Sequence, residues 1–182
     1  PTNKLYRLLE IAATSFGFPM PTYTGQNLRA KRYDRIRSGI RAGRRMAVLT
    51  ALVISALMIL LGRYILMLFI SGDPQQQEQV MAVAYRYLFI MSVMLFVLYL
   101  LHVYRSSLQG MGDTIVPMAS GFIEMFMRVG SVLFLPAFVG QDGVFFAEVI
   151  AWAGAAVLLI VMFYVRLRRL ESGLPLRGKK TA

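Results

Sequence analysis

The chain has 182 residues, of which 57% are hydrophobic and only 16% are charged, and its formal net charge is +11. A soluble domain of this length needs a more polar surface, so the composition favours an integral membrane protein. The positive charge lies outside the apolar runs, where it suits the anionic face of a membrane. Because the chain has no cysteine, disulfides and thiolate metal sites are excluded.

The first apolar segment, from Leu5 to Thr24, contains Arg7, Glu10 and two prolines. We predict a membrane helix that the prolines interrupt, and the alternative is a helix lying in the membrane interface. Glu10 is a weak candidate for a cation-binding carboxylate. The chain starts at Pro1 and shows no signal peptide, so we expect a processed, truncated or partial chain.

A strongly basic stretch follows, from Arg29 to Arg45, with eight basic residues and the single acid Asp34. We predict a basic loop here, so that residues 1–45 comprise a partial membrane helix and this loop. Such a run can also bind nucleic acid. A topology signal that touches anionic lipid is favoured instead, because a membrane span follows directly, and no nucleic-acid partner is expected.

Four further segments are apolar and long enough to cross the hydrocarbon core, which takes about 20 residues. They are Met46–Ile70, Tyr87–Tyr104, Ile115–Val139 and Val144–Val165. Arg63 lies near the end of the first, where its side chain can snorkel to the headgroups. We therefore predict an all-α, polytopic helical bundle in the lipid bilayer, with a four-helix transmembrane unit in residues 46–165 and a basic tail in residues 166–182.

The spans also predict an orientation. Four spans separate the basic stretch 29–45 from the tail, so both lie on the same side of the membrane. The loops around Asp73 and Asp142 fall on the other side and are poor in lysine and arginine. The positive-inside rule then makes the stretch and the tail cytoplasmic, in a multi-pass membrane protein.

No motif for enzymatic chemistry is present, and no metal site or organic cofactor is expected. The lone histidine, His102, lies late in an apolar helix, where a packed or interfacial residue is commoner than a metal ligand. Gly110 and Gly112 superficially resemble a phosphate loop, but no lysine follows and no strand precedes them. We predict a turn between two spans, with Asp113 or Thr114 capping the next helix.

Two charges lie inside the third clear span. Glu124 and Arg128 are four residues apart, share a helix face and are predicted to pair with each other. Facing lipid would be unfavourable, so this face should look into the bundle or a wet cavity. A structural pair that locks two helices and a cation- or proton-responsive site are both open. Glu148, just inside the last span, is a further candidate, although a solvated helix end is favoured there.

Two stretches in this order resemble the second, C-terminal lobe of MATE (multidrug and toxic compound extrusion) transporters. They are TGQNLRAKRYDRIRSGIRAG and RSSLQGMGDTIVPMASGFIEMFMRVG, the latter with the family's downstream Ile-Glu…Arg. The residues that match the family's loop motifs are Gly25, Gln26, Asn27, Gln109, Gly110, Gly112 and Asp113. The resemblance extends over nearly the whole chain.

The resemblance implies a protein of twelve helices in two lobes that exports small cationic, drug-like compounds, driven by Na⁺ or H⁺ as the coupling ion. On that template Leu5–Thr24 is helix eight and the clear spans are helices nine to twelve. A missing N-terminal lobe or partner chain would supply the rest. The implied function is the C-terminal portion of a multidrug/cation efflux antiporter, and not an enzyme.

Two departures from the family pattern bear on this interpretation. Arg29-Ala30 replaces the family's Gly-Ala, which puts the tight loop in doubt, and Tyr87–Tyr104 lacks the membrane carboxylate of some members. Two alternative functions are a lipid-linked oligosaccharide flippase of the same superfamily and a membrane interaction protein that transports nothing. The flippase should line its cavity with arginine and lysine, whereas only Arg128 lies deep in a span.

Overall fold

The computed structural model describes residue 11 and residues 13–15, 17–67, 74–140 and 143–173. Its helices are α1 (Pro19–Arg29), α2 (Tyr33–Met67), α3 (Pro74–Val93), α4 (Leu95–Gly110), α5 (Ile115–Val139) and α6 (Gly143–Glu171). The described ranges contain no strand. The predicted all-α class is therefore confirmed.

Four passages across a membrane are available in this arrangement. Helices α2, α5 and α6 are each long and apolar enough to span, and α3 and α4 qualify together as one span bent by 47°. The bend lies at Met94, between the two helices, and the predicted span Tyr87–Tyr104 runs through it. Three of the four predicted clear spans are thus present as single helices, and the count reaches four when the bent pair is taken as one span.

The N-terminal membrane segment is only partly described, because residues 5–10, 12 and 16 lie outside the described ranges. Glu10 is among them. In the described part, a turn at Gly17 and Phe18 separates the helical residues 13–15 from α1. Helix α1 begins at Pro19, where a missing N–H leaves no hydrogen bond broken.

Two segments that were predicted as loops are helical. Gly25, Gln26 and Asn27 lie inside α1, and the basic stretch is helical from Tyr33 onward. The reason is that the basic stretch is amphipathic: its charged residues surround one apolar face. Ile36 and Ile40, one turn apart on that face, are both 1% exposed. Arginine is also a good helix former, so a basic run is compatible with a helix that continues into the span.

The substitution at Arg29 does not disturb a tight loop, because Arg29 is the last residue of α1. The left-handed conformation falls two residues later, at Lys31, with φ 53°. The Lys31 N–H donates to the Leu28 carbonyl at 3.0 Å, and the Arg32 N–H donates to the Asn27 carbonyl at 2.9 Å. This is a Schellman ending with lysine in the position that usually holds glycine.

Replacing Lys31 with glycine should therefore stabilise the protein, by about 0.5–1 kcal/mol, because glycine adopts a positive φ without steric strain. Thermal unfolding in detergent should show the increase in midpoint. Ala30→Gly is the matched control: its φ is −79°, so glycine there should stabilise nothing. A lower midpoint for Lys31→Gly would contradict this account of the turn.

Helix α4 lies at the centre of the bundle and packs against α1, α2, α5 and α6. Its buried side chains include Tyr99 and Tyr104, and the Tyr104 ring meets Phe163 of α6 edge-on at 5.4 Å between centroids. Helix α5 differs, since it packs mainly on α6 and leaves large apolar side chains such as Phe126 exposed. That exposed apolar face suits lipid or another membrane helix.

The two sequence motifs meet where α1 crosses the end of α4. A Cβ on Gly110 would lie 2.6 Å from the carbonyl oxygen and 2.7 Å from the Cα of Pro21. A Cβ on Gly25 would lie 3.2 Å from the Gly110 carbonyl oxygen. Gly110 is therefore needed for close helix packing, whereas Gly112, with φ 80°, is needed for the turn that follows.

Substitution of Gly110 by alanine should destabilise the protein by roughly 1–3 kcal/mol, because the added methyl group meets rigid backbone. The matched control is Gly121→Ala on α5, where an added Cβ has nothing within 4 Å. There the higher helix propensity of alanine should leave stability unchanged or raise it. Equal thermal midpoints for the two variants in detergent would refute the close crossing.

Candidate functional site

At one end of the bundle, Asp113 both caps α5 and holds α6. One carboxylate oxygen accepts hydrogen bonds from the backbone N–H groups of Ile115 and Val116 at 3.2 Å each. The other accepts from Nε of Arg166 at 2.7 Å, and both side chains are nearly fully buried. Of the two predicted capping residues it is Asp113 that caps, since Thr114 makes no side-chain capping bond.

A second ion pair joins α2 to α6 at the same end. Arg37 donates from Nε and Nη2 to the two carboxylate oxygens of Glu171, at 2.9 and 2.6 Å. Hydrogen bonding to Glu171 and its negative charge raise the pKa of Arg37. Because α6 continues to Glu171, the first part of the tail is helical and lies beside the basic stretch. This agrees with the same-side placement predicted from the span count.

The buried pair should dominate the stability of this end. Arg166→Gln leaves the Asp113 carboxylate without its partner, and we expect a loss of roughly 3–5 kcal/mol in the free energy of unfolding. The double variant Asp113→Asn/Arg166→Gln should recover much of it, since no buried charge remains and the amide oxygen can still cap α5. Arg37→Gln, at an exposed pair, should change the thermal midpoint far less. A double variant as unstable as the single one would disprove the pairing.

Inside the membrane helices, Glu124 pairs with Arg105 of α4. Nη2 of Arg105 also donates to the Ser120 hydroxyl at 3.0 Å, so one guanidinium bridges two positions on α5. Sequence reasoning missed Arg105. The signal that could have found it is the turn at residues 111–114: in an antiparallel helix pair, residues at equal distances from the turn, such as Arg105 and Ser120, face each other.

Arg128, one turn further along α5, pairs with Glu148 of α6 at 2.7 Å. Tyr87 of α3 lies near enough to interact electrostatically with both charges. Glu148 is therefore part of an interhelical contact and not merely a solvated helix end. The predicted pairing of Glu124 with Arg128 is wrong: among the described residues, each of the two bonds to a different neighbouring helix. Helical spacing defines the shared face but not what the adjacent helices bring to it.

Together these residues form a row of alternating charge across three helices: Arg105, Glu124, Arg128 and Glu148. We call this set the charge row. Its side chains are partly exposed, from 19% for Glu124 to 44% for Arg128, so the row opens on the surface of the chain. Charged groups facing lipid are costly, which implies that this surface meets protein or a water-filled cavity.

Other candidate positions fit packing roles. His102 places Nδ1 2.9 Å from the Leu98 carbonyl oxygen, one turn back in α4, as expected of a packed histidine. Within the described ranges, no group of three or more metal-ligating side chains comes together. A separate cavity of about 600 Å³ lies between α1 and α2, lined mainly by apolar and small residues including Met20, Tyr23 and Met46. No member of the charge row lines it.

The fold and these paired charges define a polytopic helical membrane protein with a polar surface between its spans. The family model named MatE matches residues 2–132, which is most of the chain. The chain therefore belongs to the MATE family, a family of membrane transporters and not of enzymes. The matched segment includes the two loop motifs, around Gly25 and Gly110, and both Glu124 and Arg128. Glu148 and Arg166 lie beyond it. Comparisons with curated proteins and with solved structures give no match.

Proposed function

We propose that this chain forms one side of an efflux antiporter that exports lipophilic organic cations across the cytoplasmic membrane in exchange for Na⁺ or H⁺. The observation that carries the proposal is the charge row, which presents the carboxylates of Glu124 and Glu148 on a partly exposed surface between membrane helices. A carboxylate in such a low-dielectric setting interacts with a cation much more strongly than one in water.

The surroundings of the charge row include an aromatic side chain. Tyr87 of α3 lies near enough to Arg128 and Glu148 to interact electrostatically with both. An aromatic face contacts a delocalised cation favourably. A bulky organic cation also loses less hydration free energy than a small ion when it enters an apolar site.

The proposed transport cycle needs a second surface opposite the charge row. We infer that a first lobe, or a partner chain, closes the cavity, and that coupling-ion binding favours one of two facing states through a difference in affinity. The basic ends, including residues 33–45 and the start of the tail, would face the cytoplasm by the positive-inside rule. A flippase for pyrophosphate-linked lipids is less well supported, because the row contains as many acids as arginines.

The test is ethidium export from an efflux-deficient host, with the chain expressed alone and together with a complete first lobe. We expect export that requires a Na⁺ or H⁺ gradient only in the combined form. Glu148→Gln should reduce it at least about tenfold, because about 1.4 kcal/mol of lost cation binding already corresponds to a factor of ten.

The matched control is Arg37→Gln/Glu171→Gln, which removes an ion pair of the same type outside the charge row and should leave export unchanged. Both variants must reach the membrane in the same amount as the parent, as measured by immunoblotting. Ethidium accumulation that equals the empty-vector level in every form, with or without a gradient, would exclude the antiporter function.

A further inference from the structure

The charge row can pair in two ways. The observed way uses two contacts between helices, Arg105–Glu124 and Arg128–Glu148. The other way uses the middle two residues, since Glu124 and Arg128 are one turn apart on α5 with the acid on the N-terminal side, the favourable order for an ion pair within a helix. The change from the first arrangement to the second needs only a rotation of the Arg128 side chain, which is the most exposed of the four.

The second arrangement leaves the two ends of the charge row without their present partners. Arg105 would retain its hydrogen bond to the Ser120 hydroxyl, at 3.0 Å, and sits one turn from the end of α4. The Glu148 carboxylate would lose the Arg128 guanidinium, and a partly buried carboxylate that loses its countercharge is strongly destabilised. The exchange is therefore favourable only when another cation takes the place of Arg128 at Glu148.

We propose that Arg128 is an exchangeable internal cation, which occupies Glu148 in the absence of substrate and moves to Glu124 when an organic cation binds at Glu148. The proposal rests on the function proposed above and identifies Arg128 as the residue that competes with the substrate. It also gives binding a structural consequence. The α5–α6 ion pair is replaced by a pair within α5, and the α4–α5 pair is weakened, so α5 loses polar contacts to both neighbours.

The test is equilibrium binding of ethidium to the full chain in lipid nanodiscs, measured by fluorescence anisotropy at fixed pH and ionic strength. Glu148→Gln should weaken binding at least about tenfold, since it removes the site. Arg128→Gln should tighten binding about tenfold or more, because it removes the competitor and leaves a net negative charge near the ligand. Arg128→Met, of similar length, should act in the same direction and serves if the glutamine variant does not fold.

Glu124 provides the decisive comparison. Glu124→Gln should weaken ethidium binding several-fold, since Arg128 then has no second acceptor and stays on Glu148. That variant also changes the net charge, so the matched variant is Glu124→Gln/Arg105→Gln, which is neutral like the parent row. The exchange predicts that the double variant still binds several-fold more weakly than the parent. Parental affinity in the double variant would mean that only net charge matters and would overturn the exchange.

Two further outcomes separate the inference from the proposed function. If ethidium binds and Glu148→Gln weakens it, but Arg128→Gln binds no more tightly than the parent, the exchange is wrong and the transporter function stands. If the parent chain does not bind ethidium, the exchange at Glu148 is wrong, and the export assay alone decides the proposed function. Size-exclusion chromatography and far-UV circular dichroism establish that each variant is folded before its affinity is interpreted.

Discussion

The constraint on which this structure depends is the cost of a charged side chain among apolar helices. Every charge in the charge row meets an opposite charge on a neighbouring helix, Arg105 with Glu124 and Arg128 with Glu148. Each pair neutralises its two charges and also specifies the register of one helix along the next. Apolar surfaces of leucine, valine and phenylalanine pack in several registers at similar energy, whereas a mismatched register here would leave a charge without a partner.

The end of the bundle that carries the basic segments also has a buried ion pair and a close helix crossing. Asp113 caps α5 and bonds to Arg166 of α6, while the Gly110 crossing brings α1 against α4 without room for a side chain. Residues 110–113 thus combine three structural features: a close helix crossing at Gly110, a left-handed turn at Gly112 and a buried ion pair at Asp113. By contrast, α5 has a largely exposed apolar surface beyond this end, where the charge row ties it to α4 and α6.

The sequence was sufficient to locate the clear apolar spans and to place the basic segments at the same end, since both follow from apolar length and charge counts. It was insufficient for the pairing of Glu124, because a helical repeat identifies a face and not the residues of adjacent helices. The basic stretch was mistaken for a loop since its charges outweighed the four-residue spacing of Ile36 and Ile40. Arg29 looked damaging only while the motif was assumed to be a loop. As the last residue of α1, it needs no positive φ, which falls on Lys31 instead.

The balance of two acids and two arginines also bears on how a site of this kind would couple binding to movement. A carboxylate without an arginine partner would attract a cation strongly, but cation binding to it would break no ion pair between helices. In a balanced row the incoming cation must displace a guanidinium, and the displaced group changes which helices are tied together. Cation binding and the arrangement of α4, α5 and α6 would then be linked equilibria. A change that weakens the Arg128–Glu148 pair but leaves the Glu148 carboxylate intact should therefore favour cation binding.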